Sequence, residues 1–130
     1  EHRDRVRRAV LESSGEPADQ LRALTRAHVA MHAELPLLAT VCNNELHALG
    51  DASKREVYAV RGGAEETILD IIERGRRLRV FDCPDPWLAV AAIGAMGIRV
   101  AAWFRPGGGH TVEQVCEQYA EFALRIVGAA

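Results

Sequence analysis

Apolar residues recur along this chain with the period of a helix, and the punctuation between the recurrences divides it into six helical stretches. The first, Glu1–Ser14, is mostly polar around Val6 and Val10 and stops at Gly15, a residue suited to a helix C-terminus. Pro17 opens the second, in which Leu21, Leu24, His28, Met31 or His32, and Leu35 share a face. Pro36 breaks that run, and Leu38, Val41, Cys42, Leu46 and Leu49 carry a third stretch to Gly50. Ser53 and Glu56 have the spacing of a capping box, in which each side chain satisfies the other residue's backbone N–H. They start a long fourth helix, closed after Arg74 by Gly75. Asp85 and Pro86 begin the fifth, where a carboxylate can accept from first-turn amides and proline loses no hydrogen bond. Thr111 and Gln114 form a second capping box, and Val112, Val115, Cys116, Tyr119, Phe122 and Ile126 face inward from the sixth. Two longer loops remain, 75–84 with its short apolar run Val80-Phe81, and 106–110. The pattern predicts an all-α fold of six helices.

The fifth stretch has almost no polar face. From Trp87 to Ile98 it carries no charge, and Arg99 alone interrupts it before Phe104. A helix apolar all round must be covered all round. Its length, its many Gly and Ala residues and its Arg argue against a membrane span. A chain of 130 residues can cover only part of it, so a second copy is expected on the rest. Gly94 and Gly97 each cost about 1 kcal/mol relative to Ala in a helix interior, which close approach of another backbone can offset. The fifth and sixth helices, doubled by a two-fold axis, would make a four-helix bundle. Val90, Gly94, Gly97, Ile98 and Ala101 would come from one, with Val115, Tyr119, Phe122 and Ile126 from the other. The alternative is that these faces form the chain's own core.

Composition narrows the class. With 48% hydrophobic and 26% charged residues, 1–130 reads as one globular domain. A net charge of −2 supplies no attraction for nucleic acid. Cys42, Cys83 and Cys116 are widely spaced, which fits reduced thiols in the cytoplasm and no cysteine zinc site. Gly107–Gly109 follows Pro106 and precedes a helix cap, so it is turn chemistry and not a phosphate loop. No nucleophile elbow is present. No catalytic residue and no cofactor is expected. Arg74, Arg76, Arg77 and Arg79 cluster at a helix C-terminus, where cations are favoured.

Four ionisable residues fall on stripes that should be buried: His28, His32, Glu45 and Arg61. Buried charges pair or line a cavity. Glu45 and Arg61 are either a structural ion pair or the polar fixtures of a ligand pocket. The pocket's walls would be Met31, His32, Val41, Tyr58, Ile68 and Trp87. His28 and His32 also have the spacing of two metal ligands on one helix face, with Glu34 or Glu45 as a third. Ordinary buried histidines explain them better, and no metal is expected. A metal-dependent enzyme using His28, His32 and Glu45, and a helical dimerisation module without a cavity, are the competing readings.

The helix order resembles a known family most closely over Ile71–Ala120. It carries Ile71-Ile72-Glu73-Arg74-Gly75, Val80-Phe81, Asp85-Pro86, Ala91-Ala92-Ile93, Trp103-Phe104-Arg105-Pro106-Gly107, Thr111-Val112-Glu113 and Tyr119-Ala120, with Arg61 upstream. These positions are similar to the C-terminal regulatory domain of TetR-type transcriptional repressors, in particular the branch responding to acyl-CoA or other lipid-derived ligands. The resemblance implies an orthogonal helical bundle with an effector pocket in its first helices and a homodimer through its last two. It implies operator DNA as a partner only through an N-terminal helix-turn-helix domain, to which nothing here corresponds. Glu1–Ser14 resembles the helix connecting that domain to the pocket.

Overall fold

A computed structural model of the chain describes residues 2–36 and 65–130. Five helices account for most of them: α1 (His2–Glu12), α2 (Pro17–Glu34), α3 (residues 65–77), α4 (Pro86–Trp103) and α5 (Val112–Ile126). The helix expected from Leu38 to Gly50, and the Ser53–Glu56 capping box, lie outside the described residues. No strand occurs among the described residues, as the all-α pattern requires.

The N-terminal signals act as their chemistry predicts. Asp85 Oδ1 accepts from the amide of Leu88 at 3.1 Å, and Pro86 occupies the first turn of α4. The Thr111 hydroxyl accepts from the Gln114 amide at 3.1 Å, while Gln114 Oε1 accepts from the Thr111 amide at 2.8 Å. Pro17 starts α2, whose N-cap residue Glu16 makes no side-chain cap.

The C-terminal end of α3 departs from the sequence expectation. The helix does not close at Arg74 but continues through Gly75 to residue 77. Gly75 serves packing and not a left-handed turn: the Phe81 ring folds back over it, and a Cβ there would overlap the ring. Phe81 is itself tied down, because its amide and that of Val80 donate to the Gly75 carbonyl at 3.1 and 2.9 Å. The loop then pairs with the chain's last residues. Phe81 and Ala129 form an antiparallel bridge, and the Asp82 amide donates to the Gly128 carbonyl at 3.1 Å. Gly128, with φ of 64°, turns the backbone there, and a side chain at that position would strike the Asp82 carbonyl.

α2 is the central element, packing against α1, α4 and α5, while α4 and α5 touch each other much less. At one end Leu21 and Leu24 of α2 meet Val6 of α1, Ile68 and Ile72 of α3, Val90 and Ile93 of α4, and Leu124 and Val127. Towards the other end Val29 and Ala33 meet Val100, Phe104, Val115 and Cys116. Each such fully buried aliphatic side chain contributes about 1.5–3 kcal/mol, so α2 anchors both layers. Arg22 reaches Glu121 and Arg26 reaches Glu117 at 3.6 and 2.6 Å, lacing the outer edges of α2 and α5 together.

Candidate functional site

Three pieces of the molecule bear on function: the histidine face of α2, the outer faces of α4 and α5, and the cluster of arginines after α3. Four expected pocket residues, Val41, Glu45, Tyr58 and Arg61, lie outside the described residues. Of the other four, His32 is buried and Met31 half-buried on α2. Ile68 is buried in the core layer shared with Leu21 and Leu24. Trp87, at the start of α4, is 57% exposed.

His28 and His32 stand one turn apart, their rings edge-on with centroids 4.7 Å apart. His32 Nδ1 lies 2.9 Å from the His28 carbonyl, which places a proton on that nitrogen. His28 Nε2 likewise donates across to α4, to the Gly94 carbonyl at 3.0 Å. Burial, and the neighbouring His32, lower the His28 pKa from 6.5 to about 4, against the opposing pull of the Gly94 hydrogen bond. Burial lowers His32 too. Both rings are therefore neutral at physiological pH. Among the described residues no set of three His, Cys, Asp or Glu side chains is placed to hold a metal. The two free thiols described, Cys83 and Cys116, are buried. Burial, and then Glu34 and Glu113, push the Cys116 thiol up to about 11, so it is not a nucleophile at neutral pH.

The ring of His28 explains Gly97. A Cβ at Gly97 would overlap that ring, so the glycine is a socket for His28 of the same chain. The expectation that Gly97 admits another subunit's backbone is corrected by this contact. Gly94 differs: nothing lies within 4 Å of where its Cβ would be. Periodicity marks both glycines, but it cannot show which side of α4 each one opens.

Residues expected at a dimer interface divide in the same way. Val90, Ala101 and Val115 are buried among the chain's own helices, whereas Gly94, Ile98 and Tyr119 are half-buried and Phe122 and Ile126 exposed. Leu88 (65% exposed), Ala91, Ala92, Ala95, Ala102 and Trp103 extend this exposed surface along α4, with Arg99 its only charge on that helix. An aromatic row joins it to α5: Trp103 to Tyr119 at 6.4 Å, then Tyr119 to Phe122 at 5.8 Å between centroids. Only 33% of α4 is buried, although its mean hydropathy is 1.4. By length and composition alone it could cross a membrane.

In the arginine cluster, Arg76, Arg77 and Arg79 are exposed, and Arg79 adopts φ of 60°. Arg74 is different in kind. It reaches Gln20 Oε1 at 2.5 Å and also the Gly15 carbonyl, contacts between residues more than fifty positions apart that sequence spacing could not reveal.

Residues 14–127 match the family model of the tetracyclin repressor-like C-terminal domain. A regulatory protein of the tetR family from Rhodococcus RHA1 superimposes with a TM-score of 0.86 at 27% identity, over 99% of this chain and 70% of that one. The TetR-family transcriptional regulator PfmR from Thermus thermophilus gives 0.82 at 27% identity, over 95% and 69%. AibR, solved in complex with isovaleryl coenzyme A and operator DNA, gives 0.77 over 98% and 67%. At 16% identity that last likeness is one of fold. No protein of curated function shows significant sequence similarity to the chain. With its helix order, its core and this family model in agreement, the chain belongs to the tetracyclin repressor-like C-terminal domain family, a family of transcriptional regulators and not of enzymes.

Proposed function

We propose that the chain is the effector-binding and dimerisation domain of a TetR-type regulator. It senses a small apolar or acyl-type ligand whose binding releases the intact protein from operator DNA in the cytoplasm. The match of the family model to residues 14–127 carries this reading. On it, 1–130 is one domain, and Glu1–Ser14 leads towards the operator-binding part of the intact protein.

The pocket is bounded by α2, by α3, by the residues between them and by α4. Met31, His32 and Ile68 supply walls, joined by Val41, Tyr58 and Trp87, with Glu45 and Arg61 as its polar fixtures. The buried, neutral His32 suits such a pocket, since a protonated ring would be costly beside an apolar ligand. AibR, a protein of the same fold, holds isovaleryl coenzyme A, so the fold can accommodate an acyl thioester. Isothermal titration of the chain with isovaleryl coenzyme A and with a medium-chain free fatty acid tests the reading. Saturable binding to either, weakened at least tenfold in Met31→Asp, is the expected result. No binding of either, with a side-chain-packed interior in a crystal structure, would overturn it.

The exposed apolar surface of α4 and α5 is the dimer interface. It consists of Leu88, Ala95, Ile98, Ala102 and Trp103 with Tyr119, Phe122 and Ile126, and Gly94 at its margin lets the partner approach closely. The alanines on α4 keep that face flat, as tight helix packing against a symmetric copy requires.

A further inference from the structure

α1 is packed against α2, with Val6 in the shared core and Val10 half-buried against it. Among its described side chains only Val6 is buried, and Leu11 is largely exposed. The pair between Arg5 Nη2 and Glu34 Oε2, 3.2 Å apart, is at the surface, where such pairs contribute little. The turn between α1 and α2 also sets the seat of α1, and within it the Ser14 hydroxyl donates to Asp19 Oδ2 at 2.5 Å and accepts from the Glu16 amide at 3.3 Å.

The long-range hold on the turn comes from α3. Arg74, in the last turns of α3, donates through Nη1 to Gln20 Oε1 at 2.5 Å and through Nη2 to the carbonyl of Gly15 within the turn. The donor is a charged guanidinium, so both bonds are charge-assisted although their acceptors are neutral. The planar guanidinium spans the two at once, which a lysine ammonium cannot do. α3 also shares a core layer with α1 and α2 through Ile68, Ile71 and Ile72 against Val6, Leu21 and Leu24. A shift of α3 relative to α2 must then either strain the Arg74 grip or carry the turn with it.

We infer that Arg74 is a positioning residue for α1: the clamp through which a displacement of α3 reaches the α1–α2 turn and resets the seat of α1. The link to regulation rests on the proposed function, in which α3 borders the effector pocket and α1 leads towards the operator-binding part. The clamp itself does not depend on that reading.

Hydrogen exchange read by mass spectrometry on the wild-type chain, Arg74→Ala and Arg74→Lys tests it, with Arg76→Ala as an exposed-arginine control. In Arg74→Ala the amides of α1 and of residues 14–16 exchange roughly tenfold faster, while those of α5 keep wild-type rates. Arg74→Lys is intermediate, and Arg76→Ala matches the wild type. Unchanged exchange in α1, an equal rise in α1 and α5, or full protection restored by lysine would each overturn the inference. Should Arg74→Ala fail to fold, Gln20→Ala removes one acceptor and must still loosen α1 selectively; unchanged rates there count against the clamp. Failure to bind any acyl ligand would strike the effector reading and leave the exchange result standing.

Discussion

His28 is the residue in which most of the physical chemistry of this chain meets. Its ring is buried, neutral, hydrogen-bonded to the backbone of α4 and seated where Gly97 leaves room. Because its folded pKa of about 4 lies below the unfolded value of 6.5, the unfolded chain binds more protons between those limits. The stability it lends is complete above about pH 6.5 and is lost as pH falls towards 4. One such group corresponds to a loss of roughly 3 kcal/mol over that window. Urea melts at a series of pH values should show the decline, with a shallower slope in His28→Gln. An equal slope in the variant would remove His28 from the account. Gly97→Ala drives a methyl group into the ring and should destabilise by about 1–3 kcal/mol. Gly94→Ala, with open space at its Cβ within the chain, should leave the stability of the protomer unchanged or raise it by up to about 1 kcal/mol, any cost appearing in dimerisation instead. Comparable losses at the two glycines, in melts at a dilution where the chain is monomeric, would contradict the socket.

At the scale of elements, local signals are legible in the sequence and long-range ones are not. Asp85-Pro86 and the Thr111–Gln114 box announce their helices because caps are built from residues three positions apart. The bridge between Phe81 and Ala129 joins two short apolar fragments at opposite ends of a helical pair, and neither fragment looks like a strand alone. Gly75 misleads for a similar reason: glycine near a helix end usually turns the chain, but here it makes room for a ring from six residues downstream. The stripe of α2 puts His28 and His32 on its inward face, where both are buried, whereas the all-apolar α4 offers no such phase, and its Trp87 is exposed within the chain. The same helix makes the next prediction. Phe122→Asp puts a charge in the aromatic row that α5 shares with α4 and should convert a dimer to monomer in sedimentation equilibrium, with helix content retained. A dimer of wild-type affinity in that variant would place the interface elsewhere. Wild-type monomer that partitions onto lipid vesicles would assign α4 to a membrane.

At the scale of the whole molecule, the described residues are organised around α2, which carries the inward histidines on one face and the core contacts to α1, α4 and α5 around it. Such an arrangement lets one helix touch both the proposed pocket and the helix whose outer face is proposed to meet a second copy. The central claim is that pocket and interface belong to one dimeric effector domain. Native mass spectrometry of the chain, alone and after incubation with isovaleryl coenzyme A or a medium-chain fatty acid, tests both halves in one spectrum. The account predicts a dimer in each case, gaining the mass of bound ligand in at least one. A monomer that takes up neither compound would contradict it.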